Sequence, residues 1–330
     1  MTTVLAITIA DPETGSTKYR VSQYRDLLSA HGMHLDLVHR RAPTRQLKAA
    51  LARADIVINQ KCLLSPWIGR HVWQRTDRVL FDFDDAIYTR PGRPYGALTG
   101  LRVRWGLRYW LRRARVTVVA NEYLARYARQ YSRRVEVIPM GLDLSVWRPA
   151  EPRIDDRVVI GWAGAPVNLP LVEGLAPVLG ELRRRHPNVE FRIYCGRPPQ
   201  GDLPFEHVPY APGTEPEFVR GLDIGLLPLV DEEHSRGKSP IKSVQYLACG
   251  IPVVGNVMGA TAEICTPENS IAVGHGANEW LAALSRLVED RELRRRLGTV
   301  GRAHVSANFS AATNGLRLAE LLVELASLPA

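Results

Sequence analysis

Two doubly wound α/β domains, Rossmann-like and facing a central cleft, are the architecture this sequence predicts. Short apolar runs alternate with longer amphipathic ones from end to end, the pattern of parallel strands joined by helical crossovers. The alternation restarts after RPAEPRIDDR, residues 148–157, a polar stretch broken by two prolines. The chain's 330 residues also exceed what one core comfortably holds, so domains of 1–150 and 151–330 are expected.

In the first half, strands are expected at VLAITIA (4–10), LDLVHR (35–40), DIVINQ (55–60), VLFDFD (79–84), VTVVAN (116–121) and VEVIPM (135–140). Helical stretches such as YRVSQYRDLLSAHG and NEYLARYARQY lie between them. The second half repeats the order with VVIGWAG (158–164), FRIYCG (191–196), DIGLLPL (223–229), IPVVGN (251–256) and SIAVG (270–274). An ordinary amphipathic helix ends the chain, and its range, about 309–330, leaves it able to pack back on the first domain. Ligands of such sheets bind outside the carboxyl ends of the strands, so polar residues there are the candidates. Neither half carries GxGxxG, which disfavours a nicotinamide dehydrogenase.

Composition narrows the class further. A net charge of +9 points to acidic partners such as nucleotide, phospholipid or nucleic acid. Residues 90–115 hold eight arginines and no acid, interleaved with Trp105, Tyr109 and Trp110. That pattern fits peripheral contact with a membrane surface or an anionic acceptor, and equally a solvated helix packing its tryptophans inward. No nucleic-acid module accompanies the charge, so nucleic acid is not an expected partner. No run of about 18 apolar residues and no basic-flanked leader is present, so neither a membrane span nor a signal peptide is expected. Cys62, Cys195, Cys249 and Cys265 lack paired spacing. A cytoplasmic protein, with peripheral contact at the inner face of the membrane left open, is the expectation.

The chain spells its positive charge with 38 arginines against five lysines, yet two lysines stand close together in SRGKSPIKSVQYLACGIPVVG, residues 235–255. Ser239 reads as an N-cap, Pro240 as the first helical residue and Gly250 as the stop. Ile241, Val244 and Ala248 should face the core, turning Lys242 and Gln245 together onto another face. Lys238 falls in the entry loop. A helix start flanked by two ammonium groups is a candidate phosphate seat, against the plainer reading of solvated surface lysines.

The chain resembles the retaining nucleotide-sugar glycosyltransferases of family 4, which have the two-domain GT-B fold. The resemblance is most specific over residues 223–264, where a strand ends at Pro228, an acidic loop follows (Asp231 to Glu233), and a helix ends in the turn from Ala248 to Val254. Gly259 and the Glu263-Ile264 pair complete the pattern. FDFDDAIY (81–88), NEYLARYA, VIPMGLDLSVWRP and RELRRRLGTVGRAHV match too. The resemblance implies a nucleoside diphosphate sugar held by the C-terminal domain, an acceptor-binding N-terminal domain and no obligatory metal or other cofactor. Lys238, Lys242 and Arg236 would grip the pyrophosphate, and Gln245 stands where the family's ribose-contacting glutamate is expected. A second family glutamate falls, with seven intervening residues, on Gly237. Asp231, Glu232 or Glu233 is then the candidate replacement carboxylate, and Glu232 is taken as the catalytic one.

Asp84 and Asp85 end the fourth strand, where they are able to orient an acceptor hydroxyl, hold a divalent ion or cap the next helix. Lys238, Lys242, Glu232 and Asp85 are the catalytic candidates, with no metal ligand among them. In the loop TGSTKYR (14–20), Gly15 would bring backbone to the donor, with a simple turn as the alternative, while Lys18 and Arg20, like Asp84, lie on the acceptor side. Gly164 would let backbone meet a phosphate, and Glu263 would touch ribose or cap a helix. His31, His34, His39 and His71 read as surface or satisfied interior groups. The expected reaction moves a hexose or amino sugar from a UDP- or GDP-sugar to a hydroxyl, in polysaccharide or glycolipid assembly or natural-product glycosylation. The alternatives are a catalytically silent GT-B subunit that binds nucleotide or scaffolds a partner enzyme, and a nucleotide-sugar epimerase.

Overall fold

Apolar runs with no polar alternation must be buried on both faces, and here they become parallel strands covered by helices. A computed structural model describes residues 1–13, 15–151, 154–200 and 205–328. Thr14 of the TGSTKYR stretch, Pro152 and Arg153 of residues 148–157, and Pro329 and Ala330 in the range expected for the last helix lie outside the described residues. The chain divides into two units. Unit 1 comprises Met1–Gly141, Glu232–Ser239 and Phe309–Ala330, and unit 2 comprises Leu142–Asp231 and Pro240–Asn308.

Unit 1 holds β1 (Thr2–Thr8), β2 (Met33–His39), β3 (Ile56–Gln60), β4 (Val79–Phe83), β5 (Val116–Val119) and β6 (Val135–Val137). They form one parallel sheet in the order β2-β1-β3-β4-β5-β6. Alternate residues serve the two faces: Leu5 and Ile7 pack with Val57, Phe81 and Trp110, while Val4 and Ala6 pack with Ile56, Ile58 and Leu80. The second face receives Leu318, Leu321, Leu322 and Leu325 of the Ala311–Ser327 helix, so the end of the chain completes the core of its beginning. Arg317 donates to the Val137 carbonyl at 2.8 Å, and Asn314 to that of Pro139 at 3.1 Å.

Unit 2 holds β7 (Val158–Ala163), β8 (Val189–Cys195), β9 (Phe205–Pro209), β10 (Ile224–Leu227), β11 (Val253–Gly255) and β12 (Ser270–Ala272). Their order is β12-β11-β10-β7-β8-β9, again parallel throughout. The edge strand β9 is the element that the apolar-run pattern misses, because FEHVP buries neither face. The passage into unit 2 falls at Leu142, ahead of a 150/151 division. Arg302 of unit 2 donates to the carbonyls of Trp147, at 2.5 Å, and Leu144, at 3.3 Å, within the stretch that follows.

Arg20, expected on the acceptor side, is a buried structural cation instead. Its guanidinium Nε lies 3.1 and 3.2 Å from the two Asp82 carboxylate oxygens, and its Nη atoms donate to Asp82 and to the Ile138 carbonyl. The pair joins the Gly15–Arg20 helix to β4 and to the backbone after β6. Asp82→Ala leaves an uncompensated buried guanidinium and should lower unfolding free energy by about 3–5 kcal/mol in urea titration. An unchanged midpoint would show that the pair does not hold these elements together.

Candidate functional site

In unit 2 the strand order reverses between β7 and β10, and a sheet of this kind binds ligands outside the carboxyl ends at that switch point. The Ile241–Ala248 helix follows β10 and is fixed there by Tyr246. The buried Tyr246 hydroxyl accepts a hydrogen bond from the Ala163 N–H at 2.9 Å, at the end of β7. Its ring lies so close to Gly225 of β10 that a Cβ there would sit 2.5 Å from a ring carbon. Burial pushes the phenol's pKa up, so it stays neutral.

Lys242 and Gln245 do share a face of this helix, and that face is not open solvent. Gln245 is 1% exposed. The Lys242 ammonium pairs with Glu215 Oε1, and Gln245 Nε2 donates to Glu215 Oε2 at 3.0 Å. Glu215 opens the Glu215–Arg220 helix, and nothing in the local pattern TEPEFVR marks it as more than surface. Glu215 thus sets a carboxylate beside Lys242 and Gln245, from outside the acidic loop. Glu232 belongs to unit 1, where its Oε2 accepts from the Gly92 N–H at 2.9 Å.

Gly164 answers to packing: a Cβ there would lie 2.2 Å from the Trp162 indole, so only glycine fits above that ring. Glu263 ends the Gly259–Glu263 3₁₀ turn after β11, and its carbonyl accepts from His304 Nε2 at 3.0 Å. Asn256 is a further residue of this region that local sequence does not flag. Its Oδ1 accepts from the Leu229 N–H at 2.9 Å, while its Nδ2 donates to the carbonyls of Val273, at 3.1 Å, and Gly274, at 2.8 Å. It ties together the backbone leaving β10, β11 and β12.

Unit 1 has its own switch point, between β1 and β3. Lys61 stands there, directly after β3, with a backbone φ of +43° that a non-glycine residue adopts only at a cost. Its ammonium spans Asp84 Oδ1 at 2.6 Å and Asp85 Oδ2 at 2.7 Å. Asp84 and Asp85 therefore neither cap a helix nor stand open for a divalent ion, since a lysine already occupies the space between them. Burial and the adjacent Asp85 charge push the Asp84 carboxyl up, against the pull of Lys61. Burial would also raise Asp85, but Lys61, then Lys238 and His234, hold it below the usual carboxylate range. Burial would likewise lower the Lys61 ammonium, and the two carboxylates more than reverse that. Among the described residues no cluster of three or more His, Cys, Asp or Glu is arranged to hold a metal ion.

Residues 232–239 belong to this unit. The helical turn Glu233–Gly237 packs so tightly that a Cβ on Gly237 would sit 2.7 Å from the Ala86 Cβ, which rules out a glutamate at that position. Asn121 Nδ2 donates to the Gly237 carbonyl at 3.2 Å and to Ser239 Oγ at 2.8 Å. Ser239 is thereby taken by Asn121 and does not cap the next helix, which begins one residue after Pro240. Lys238 acts on the Asp85 charge, and the neighbouring His234 has its pKa lowered, chiefly by burial. Gly15 begins a helix at φ +52° in place of a loop. Lys18 is half-exposed, 3.6 Å from Glu13, and Arg236 is exposed.

A family model described as glycosyl transferase-like matches residues 176–322. The MMP alpha-(1->4)-mannosyltransferase of Mycolicibacterium hassiacum is 27% identical over 192 residues, 54% of this chain and 45% of that relative. A D-inositol 3-phosphate glycosyltransferase of Paenarthrobacter aurescens is 26% identical over 216 residues, 57% of this chain and 51% of its own length. The chain spans about half the length of the curated relatives it matches. Among solved structures, sucrose-phosphate synthase from Thermosynechococcus elongatus superposes with a TM-score of 0.76 at 16% identity, over 98% of this chain and 99% of that one. Anabaena HepE in complex with UDP and glucose gives 0.74 at 15% identity, over 98% and 100%. The chain has the GT-B fold, and its second half resembles glycosyltransferases.

Within this GT-B chain the Lys61 bridge has a pH signature. Asp85's depressed pKa contributes stability that is present above the ordinary carboxylate range and lost as pH falls through its folded value. In Lys61→Met the two carboxylates would face each other without the cation that bridges them, so their pKa values rise and the sign reverses. Thermal melts of the variant should show a stability deficit that is largest near about pH 7.5 and shrinks toward about pH 5. A deficit that stays constant across that range would mean that Lys61 does not neutralise the pair.

Proposed function

We propose that this protein is a retaining, family 4 glycosyltransferase that moves a hexose or amino sugar from a UDP- or GDP-sugar to a hydroxyl acceptor, without an obligatory metal. One observation carries the reading: Lys242, Gln245 and Glu215 are gathered by a buried helix start at the switch point of unit 2. An ammonium group has three donors, so Lys242 can keep Glu215 and still offer N–H to a diphosphate. Gln245 and Glu215 then suit a ribose diol. The name of HepE's complex with UDP-glucose and the names of the mannosyl- and glycosyltransferase relatives support a nucleotide-sugar donor. Polysaccharide, glycolipid or natural-product hydroxyls are the acceptor classes.

In the proposed reaction the acceptor oxygen bonds to the anomeric carbon on the face that the diphosphate leaves, and the carbon–oxygen bond to phosphate breaks. The acceptor proton passes to the departing phosphate oxygen. Negative charge grows on that phosphate, and Lys242 with the helix N–H groups neutralises it from fixed positions. Asp85, 28% exposed and held ionised, suits accepting a hydrogen bond from an acceptor hydroxyl. Its low pKa makes it a poor base, which is why the proton is assigned to the leaving group. Lys238 and Arg236 are proposed as further cations for the anionic reactants.

Purified protein incubated with radiolabelled UDP- and GDP-sugars should release free sugar slowly in the absence of acceptor. Lys242→Ala should reduce that release about 10- to 100-fold, the worth of roughly one charge-assisted contact of 1.5–3 kcal/mol. Thermal stabilisation by UDP or GDP with no turnover of any donor would favour the nucleotide-binding scaffold instead.

A further inference from the structure

The Ala97–Arg113 helix of unit 1 is amphipathic twice over. One side carries Leu107, Trp110 and Leu111 into the core, where Trp110 stacks near Phe81 with centroids 6.1 Å apart. The opposite side would be expected to be polar throughout, and it is not. Leu98, Leu101 and Trp105 recur at helical spacing along its outward pole, 79%, 67% and 56% exposed. Arg102, Arg104, Arg108, Arg112 and Arg113, all exposed, flank that pole. Arg108 and Arg113 lie over the rings of Tyr131 and Tyr109, at 4.9 and 4.8 Å, so their stems run along the helix surface.

We propose that this face seats the protein on a bilayer surface bearing anionic lipid headgroups, with Leu98, Leu101 and Trp105 entering the acyl boundary and the arginines meeting phosphates. The charge decides the occupant. Residues 90–115 contain no acid, so the charge that this helix sets around its apolar pole is of one sign, complementary to an anionic plane. An indole at the pole suits the headgroup level, and long arginine stems let each guanidinium reach phosphate while the leucines are buried. Among the described residues no helix is long and apolar enough to cross a membrane, so the contact is one of lying on the surface. The inference is independent of sugar transfer.

Cosedimentation of the full chain with vesicles tests it. Binding to phosphatidylcholine vesicles containing phosphatidylglycerol should exceed binding to pure phosphatidylcholine by about tenfold or more and be lost at about 1 M salt. Leu98→Ser/Leu101→Ser/Trp105→Ser alters only exposed positions and should weaken anionic-vesicle binding about tenfold while leaving the circular dichroism melt unchanged. Arg102→Glu/Arg104→Glu should weaken it at least as much. The proposal is overturned by absence of binding to anionic vesicles, by equal binding to both vesicle types, or by full binding of the triple serine variant. Self-association through this face, seen in light scattering and abolished by the triple variant without any vesicle binding, would assign it to a second copy of the chain instead.

Discussion

A carboxylate removed from water has to be met by a cation, and the polar interior of this chain is organised by that requirement. Asp82 has Arg20, Asp84 and Asp85 share Lys61, and Glu215 has Lys242. Each pair joins elements distant in sequence: a helix after β1 to β4, the end of β3 to the end of β4, and the helix before β10 to the helix after it. An ion leaving water loses several kcal/mol of hydration, roughly, unless its partner and hydrogen bonds are in place. The pairs therefore specify which strand ends approach one another. In a parallel sheet those ends are also where ligands bind. Under the proposed function Lys242 and Asp85 therefore align strand ends and also meet the reactants, whereas Arg20 and Asp82 only align.

The architecture was legible because its signal is additive. Fully buried parallel strands read as apolar runs, and β1, β3, β4 and β7 are buried along nearly their whole length. β9 carries no such run, since an edge strand half in solvent tolerates Glu206, His207 and Pro209. The site was legible only in part. Lys242 and Gln245 are neighbours on one helix, a relation that spacing alone gives. Glu215 and Lys61 find their partners 27 and 23 residues away, and no local rule reaches that far. Arg20 and Ser239 show the opposite error, where local chemistry suggests a free cation and a helix cap while Asp82 and Asn121 claim both groups.

Residues 232–239 show how topology reassigns local preference. The sequence from β10 to the site helix reads as one loop, yet it leaves unit 2, contributes the Glu233–Gly237 turn to unit 1 and returns at Pro240. Gly237 is the residue that permits this, because the Ala86, Tyr123 and Leu124 side chains leave no space for a Cβ. Glu232 and Lys238 belong to unit 1 with it, and Lys238 acts on the Asp85 charge.

The same displacement accounts for the neutral residue at position 245. A glutamate there would set a second carboxylate against Glu215 in a buried setting, with one ammonium between them, and such a pair cannot ionise fully without further cations. Glutamine removes the conflict: its amide donates to Glu215, and the carboxylate count beside Lys242 stays at one. The carboxylate beside Lys242 comes from the Glu215–Arg220 helix.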